Sequence, residues 1–387
     1  MAGRRGPAAV MAAAVFAVGL AALAAPPASA GGDWTQGGPQ LASHGIVVNY
    51  PSKKTPRLPK VPAHAFVVAN ADTGQVLAAK DAHGWFRPAS TLKVLTALAL
   101  IPVLKPDAMT VASRQAADTE PNDAGLIKGR SYRISSLFQA LLTISANDAA
   151  VALTQATGSF SKGMALINAE AHHLQADDTV AKQPNGLDAP GQHVSAYDEA
   201  LIARAALGSP AFLAYDRTLS ARFEVKPKHW ETLVNQNQLL TGYRGDIGGK
   251  LGWTTAAGAT YMGMAKRNGV TLIVTILHCP PLTEFSYAAK LLNWGFSVNG
   301  KVRPVGTLVS PLPAAPLHPA PRKTPVHTVK HVTKRAVAAS SSPAAPAAVA
   351  AGFLVLATLI VAGFVVHHRR AVALAQRSSP RGRVLPL

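Results

Sequence analysis

The sequence predicts an α+β fold, an antiparallel β-sheet with flanking helices and a helical subdomain. Three observations predict it. Ala65–Asn70 and Gln75–Lys80 are apolar β-type runs joined by Ala71-Asp72-Thr73-Gly74, a hairpin signal. Far along the chain, residues 259–264 and 270–277 form a second apolar pair around Lys266-Arg267-Asn268-Gly269, where Asn-Gly marks a tight turn. Between the two pairs the patterning is mostly helical. Strands at both ends of a domain with helices between them assemble as a sheet that carries helices.

In chain order, residues 31–60 contain Gly, Pro and a basic run and read as an extended leader. After the first hairpin, Phe86-Arg87-Pro88-Ala89-Ser90-Thr91-Leu92-Lys93 leads into an aliphatic run over 94–100. Proline just ahead of such a run reads as a helix start, so Ser90 and Lys93 share one helix face at i and i+3. Residues 137–150 read as helical and include Ser145-Ala146-Asn147-Asp148; further helices are expected over 161–174 and 197–207. A turn-rich loop, Gln183-Pro184-Asn185-Gly186-Leu187-Asp188, separates those two. Lys250-Leu251-Gly252-Trp253-Thr254-Thr255 follows a polar, glycine-containing approach on a strand, and 285–294 reads as a closing helix.

The ends differ from this body. Arg4 and Arg5, an apolar stretch over 8–25 and Ala28-Ser29-Ala30 read as a secretory signal peptide over residues 1–30. Residues 301–346 are rich in Pro, Ala, Val and Lys, as an extended tether would be. Residues 347–366 carry no charge, and that length spans a bilayer, so a single C-terminal transmembrane helix is expected there. The basic stretch 367–387, opening with His367-His368-Arg369-Arg370, suits a cytoplasmic tail. These segments place the body, residues 61–300, on the extracytoplasmic face of a membrane.

The formal charge of +19 invites a nucleic-acid reading, but its distribution argues against one. Residues 61–300 hold 20 Lys+Arg against 18 Asp+Glu, whereas 301–387 hold 12 Lys+Arg and no acid. No motif of a nucleic-acid-binding fold accompanies that tail, so no nucleic-acid partner is expected. Cys279 is the only cysteine, which excludes an intramolecular disulfide framework and reads as a buried thiol. His172-His173 and His367-His368 are adjacent pairs that do not face together on a helix or strand; no metal site and no cofactor are expected.

A hydroxyl beside a lysine amine is a nucleophile beside a base when burial or a second cation lowers the amine's pKa. Ser-x-x-Lys also arises by chance: Ser159-Phe160-Ser161-Lys162, flanked by Gly158 and Gly163, is better read as a helix cap. The order of three elements gives the first pairing its weight: Ser90-x-x-Lys93, Ser145-x-Asn147 and Lys250-x-Gly252.

With these elements, and with Asn185-Gly186-Leu187-Asp188 and Gly248-Gly249-Lys250-Leu251-Gly252-Trp253-Thr254, residues 60–300 resemble the serine penicillin-recognising enzymes. Among them they are most similar to the D-alanyl-D-alanine carboxypeptidases, the low-molecular-mass penicillin-binding proteins. The resemblance implies the penicillin-recognising serine transferase/hydrolase fold. It implies removal of the terminal D-alanine from peptidoglycan stem peptides through an acyl-enzyme on Ser90, with β-lactams as inhibitors. It assigns catalysis to Ser90, Lys93, Ser145 and Asn147 and substrate binding to Lys250, Gly252, Trp253 and Thr254. The backbone N–H groups of Ser90 and Trp253 are the implied oxyanion hole.

Leu251 departs from the pattern, which has threonine or another small residue there. That departure supports a second reading, a catalytically weak peptidoglycan-recognition protein. A class A β-lactamase reading is weaker. It needs a glutamate between the second and third elements, and residues 175–198 contain none. Transpeptidation by the same acyl-enzyme stays open.

Overall fold

The computed structural model describes residues 35–313. Its central sheet uses seven strands: β1 (Ile46–Val47), β2 (Ala65–Asn70), β3 (Gln75–Lys80), β8 (Asp246–Thr254), β9 (Gly258–Arg267), β10 (Val270–Cys279) and β11 (Gly306–Thr307). The order is β1-β3-β2-β10-β9-β8, all antiparallel, with β11 sharing the β3 edge with β1. Both expected hairpins are present, β2–β3 within the expected bounds and β9–β10 a few residues longer. Two small two-stranded sheets stand apart, β4 (Met109–Val111) with β5 (Ser131–Arg133) and β6 (Ser220–Lys226) with β7 (His229–Val234). Neither is signalled by clean apolar alternation.

The sheet is buried on both faces, which is why its strands read as apolar runs instead of alternating polar and apolar residues. Along β2, Ala65, Val67 and Ala69 pack into a large helical cluster, whereas Phe66 and Val68 pack into a second cluster under the last helix, α9 (Glu284–Val298). Strand β10 divides likewise, with Ile273 and Leu277 on the first side and Leu272, Val274 and Ile276 on the second. Each of these large side chains contributes about 1.5–3 kcal/mol by leaving water.

The helical cluster is built from α1 (Leu92–Leu100), the four-residue α2 (Arg114–Ala117), α3 (Ile134–Thr143), α4 (Asn147–Ala156), α5 (Phe160–His173), α6 (Ala196–Leu207) and α7 (Pro210–Asp216). Helix α8 (Leu239–Gly242) is a single turn before β8. Every residue of α1 is buried. That explains its continuous aliphatic sequence.

One expected helix is corrected. Residues 137–150 are not a single helix: α3 ends at Thr143 and α4 begins at Asn147, with Ser145 between them at φ +62. A left-handed residue cannot continue a right-handed helix, and the break turns Ser145 out of the helical stack. At Ser159 the expected cap is present, its hydroxyl accepting the Lys162 N–H at 3.1 Å. Cys279 is a buried free thiol.

The folded body also runs beyond residues 61–300. β1 pairs with β3 at one end, and at the other Tyr197 donates its hydroxyl to the Thr307 carbonyl at 2.8 Å and accepts the Val309 N–H. Among the described residues no helix is long and apolar enough to cross a membrane. The expected signal peptide, the expected membrane span over 347–366 and the tail over 367–387 lie outside the described residues, as does the tether from residue 314 onward.

Candidate active site

Three stretches distant in sequence meet at the start of α1. A short 3-10 turn, Ala89–Thr91, precedes the helix, with Ala89 at φ +48. The expected helix start at Pro88 is therefore displaced by one tight turn, which lifts Ser90 out of the helical ladder. The turn is pressed closely against its neighbours. A Cβ on Gly186, at φ +81, would collide with the Ala89 carbonyl, and one on Gly252 would lie 2.6 Å from the Ser90 nitrogen. From β9, Thr260 donates its hydroxyl to the Pro88 carbonyl at 2.9 Å.

Lys93 lies one turn below Ser90 and has no exposed surface. Its Nζ stands 2.8 Å from Ser90 Oγ, 2.7 Å from Asn147 Oδ1 and 2.8 Å from the Asn185 carbonyl. Burial pushes its pKa well below the usual lysine value, the charge on Lys250 adds to that, and Asp148 opposes it. A neutral amine has two N–H donors and one lone pair. Asn147 and Asn185 offer pure acceptors for both donors, so the lone pair is left facing the Ser90 hydroxyl. Sequence reasoning left burial and a second cation as alternative causes; here both act, and burial is the larger.

Asn147 opens α4, and its amide donates to the Pro121 carbonyl. Ser145 is 3% exposed, and its Oγ has no hydrogen-bond partner among the described residues. The strained turn carrying Ser145 is held by Asn122, whose Nδ2 donates to the Ile144 and Ser145 carbonyls at 2.7 and 3.0 Å. The Asn122 carbonyl accepts the Asn147 N–H at 2.9 Å. Behind it, the buried Asp148 carboxylate accepts the Ala124 and Leu126 N–H groups, each at 2.9 Å. Neither Asn122 nor Asp148 was identified from sequence, although Glu120-Pro121-Asn122-Asp123-Ala124-Gly125 is a turn-forming cluster that signals a bend.

The third element lies on β8 at the sheet edge, where Lys250, Gly252 and Thr254 alternate with Leu251 and Trp253. Lys250 is 2% exposed, and burial lowers its pKa to about 7 against the opposing charge of Asp216. Its Nζ donates to the Leu251 carbonyl at 2.7 Å. Asp216, fully buried at the end of α7, accepts the Gly249 N–H at 2.8 Å and fixes the strand just before Lys250. The Leu251 side chain packs against the cluster under α9. Thr254 donates its hydroxyl to Asp188 at 3.2 Å and accepts the Ala257 N–H at 2.9 Å, while Asp188 stands 3.4 Å from Arg87.

A cavity of about 550 Å³ opens over these elements. Of the sequence-predicted residues, Ser90, Ser145, Asn147, Gly252, Trp253 and Thr254 line it. Lys93 and Lys250 are buried beside it. The arrangement sets a hydroxyl next to a buried amine with a lowered pKa, under a cavity that also receives an unpartnered second hydroxyl.

Comparison with known proteins identifies the family. Residues 52–280 match the model of the family described as D-alanyl-D-alanine carboxypeptidase. The carboxypeptidase DacB2 of Mycobacterium tuberculosis is 38% identical over 257 residues, covering 65% of this chain and 88% of that protein. DacD of Salmonella typhimurium is 32% identical, covering 62% of this chain and 64% of its own length. A crystal structure of a D-alanyl-D-alanine carboxypeptidase from M. tuberculosis superposes with a TM-score of 0.64 at 37% identity, over 68% of this chain and all of that one. The chain belongs to the D-alanyl-D-alanine carboxypeptidase family, a family of serine-type hydrolases.

Behind Ser90, the Thr91 hydroxyl is hydrogen-bonded to Glu199, a fully buried carboxyl pushed up to about 8 by burial. Glu199 Oε2 has no partner among the described residues. Its folded pKa lies above the ordinary 4.5, so between those values the folded state holds a proton that the unfolded chain releases. Stability linked to Glu199 is therefore complete below 4.5 and lost as pH rises through about 8. Glu199→Gln stays neutral and is expected to flatten that fall, measured as the denaturant midpoint against pH; identical slopes in both proteins would show that Glu199 ionises normally.

Proposed function

We propose that the chain is a D-Ala-D-Ala carboxypeptidase that releases the terminal D-alanine of peptidoglycan stem peptides through an acyl-enzyme on Ser90. The observation that carries this reading is the Lys93 amine, buried, lowered in pKa and 2.8 Å from Ser90 Oγ. Lys93 takes the hydroxyl proton as Ser90 Oγ bonds to the carbonyl carbon of the penultimate D-alanine. The negative charge that develops on the carbonyl oxygen is met by the Ser90 and Trp253 N–H groups, and losing one such donor costs about 2.7–4 kcal/mol of barrier. The peptide C–N bond then breaks, and the proton passes through Ser145 to the leaving amine. Water attacks the ester, releases the shortened peptide and regenerates the Ser90 hydroxyl. Asn147 orients Lys93 and the substrate amide.

Lys250 attracts the substrate's terminal carboxylate. Since its pKa lies at about 7, an arriving anion favours its charged form and strengthens the contact. Gly252 lets β8 approach Ser90, and Trp253 and Thr254 border the groove. β-Lactams imitate the dipeptide and leave a slowly hydrolysed ester on Ser90. The sequence patterns read as a signal peptide over 1–30 and a membrane span over 347–366 support an activity outside the cytoplasm on an anchored protein, with the tether beginning after the folded residues.

A second reading, a penicillin-binding protein with little turnover, is favoured by Leu251, which lines the cavity and offers no hydroxyl to hold the carboxylate. The hydroxyl of Thr254 is already engaged by Asp188, which leaves Thr255, also on the cavity wall, to meet the carboxylate.

Intact mass of the soluble ectodomain after benzylpenicillin, together with D-alanine release from a D-Ala-D-Ala peptide, tests the first reading. A penicilloyl adduct and D-alanine release, both lost in Ser90→Ala, are expected. An adduct without release supports the second reading, and no adduct in the wild type removes the acyl-enzyme altogether. Leu251→Thr is expected to raise kcat/KM for release by about tenfold, the worth of one hydrogen bond to a charged group; no change, or a fall, would show that the site does not use that contact.

A further inference from the structure

Past Trp253 the catalytic cavity adjoins a second cleft of about 430 Å³, and the two share Trp253 and Thr255 as lining residues. Pro62, His64, His278 and Pro280 wall the far side. This cleft is built from irregular backbone. The β9–β10 pairing slips between Ile276 and Cys279, and His278 sits in that bulge at φ +52. Bulges bend a strand and re-aim its side chains, and left-handed backbone at a bulky residue is held only where its surroundings fix it. The fixing contact is local: the His64 N–H donates to the His278 carbonyl at 3.1 Å, and the two imidazoles lie 4.2 Å apart. His64 also meets the edge of Phe86, four residues before Ser90, at 6.3 Å. Opposite them the Trp253 indole is 56% exposed.

The direction of β8 says what part of a substrate reaches this cleft. Lys250, proposed to draw the terminal carboxylate, comes first along the strand. Gly252 and Trp253 follow, beside Ser90. Thr255 comes last, at the cleft. A substrate with its carboxylate at Lys250 and its scissile carbonyl at Ser90 must send its amino-side chain past Thr255.

We propose that the cleft bounded by His64, His278 and Trp253 is the subsite for the arm on the amino side of the scissile bond. It selects arms that end in an acceptor oxygen, a carboxylate or carboxamide, over arms that end in a free ammonium. Among the described residues the cleft lining holds no Asp or Glu, and each of its two imidazoles presents an N–H donor. His64 is held below its ordinary pKa by burial and then by the neighbouring His278 and Lys80, a positive setting hostile to a second cation. Asp81 opposes that effect but is engaged by His44 Nδ1 at 2.6 Å. Trp253 and the prolines supply apolar walls for the stem of the arm.

The inference rests on the acyl-enzyme reading, so its test separates the two. D-Alanine release is measured for acetyl-, glutaryl-, glutaramyl- and γ-aminobutyryl-D-Ala-D-Ala, the last three sharing a three-methylene stem and differing in the end group. Wild type is expected to favour the glutaryl and glutaramyl peptides over acetyl by about tenfold in kcat/KM, with no gain for γ-aminobutyryl. His64→Ala and His278→Gly are expected to bring the glutaryl-to-acetyl ratio down towards unity; glycine accepts the left-handed backbone at 278 without strain. Release that is indifferent to the arm, or ratios unchanged in both variants, overturns the subsite alone. No release from any peptide and no penicilloyl adduct overturns the acyl-enzyme reading and the subsite with it.

Discussion

The site depends on one unfavourable burial, the Lys93 amine with no exposed surface at the start of α1. An isolated ammonium there would cost several kcal/mol in desolvation, so the group is driven towards its neutral form. Lys250 increases the pressure because its own buried charge repels a second cation nearby. The Asn147 side chain and the Asn185 carbonyl resolve the problem by accepting N–H bonds, and neither carries a charge that would restore the ammonium. What remains is a lone pair aimed at Ser90.

Much of the surrounding architecture serves that arrangement. The apolar α1 is sealed among α3, α4, α5 and α6, which removes water from Lys93. Gly186 and Gly252 let two segments close over the Ser90 turn without side chains in the way. Asn122 and Asp148 keep the Ser145 turn in a left-handed conformation that an isolated peptide would abandon, at a cost of order 1–3 kcal/mol. Asp216 does the corresponding work behind Lys250. Asn122, Asp148 and Asp216 each grip backbone through a side-chain hydrogen bond, and the two buried carboxyls spend stability to hold geometry.

The legible parts of the sequence were those whose physics is local. Helix periodicity put Ser90 and Lys93 on one face, and the Asn-Gly turn announced β9–β10. The three-part order of Ser90, Ser145 and Lys250 then pointed to one site. What stayed hidden depends on long-range contact. The helix break at Ser145 is imposed by Asn122, more than twenty residues earlier in the chain, and 137–150 therefore reads as unbroken helix. Asn185 acts through its backbone carbonyl, which no side-chain pattern can reveal. The β6–β7 hairpin alternates with charged residues such as Arg222, Glu224 and Glu231 and lacks the apolar signature of a core strand. Past residue 300 the proline-rich composition masked a short strand whose register is set by β3.

The central claim is that burial, more than any partner, keeps Lys93 unprotonated next to Ser90. It is tested most directly by the rate of Ser90 acylation by benzylpenicillin as a function of pH. The account predicts a rising limb whose midpoint lies well below the ordinary lysine value of 10.5, shared between Lys93 and Lys250 as a coupled pair. A limb centred at 10.5 would mean that Lys93 is an ordinary solvated ammonium and that Ser90 takes its base from elsewhere.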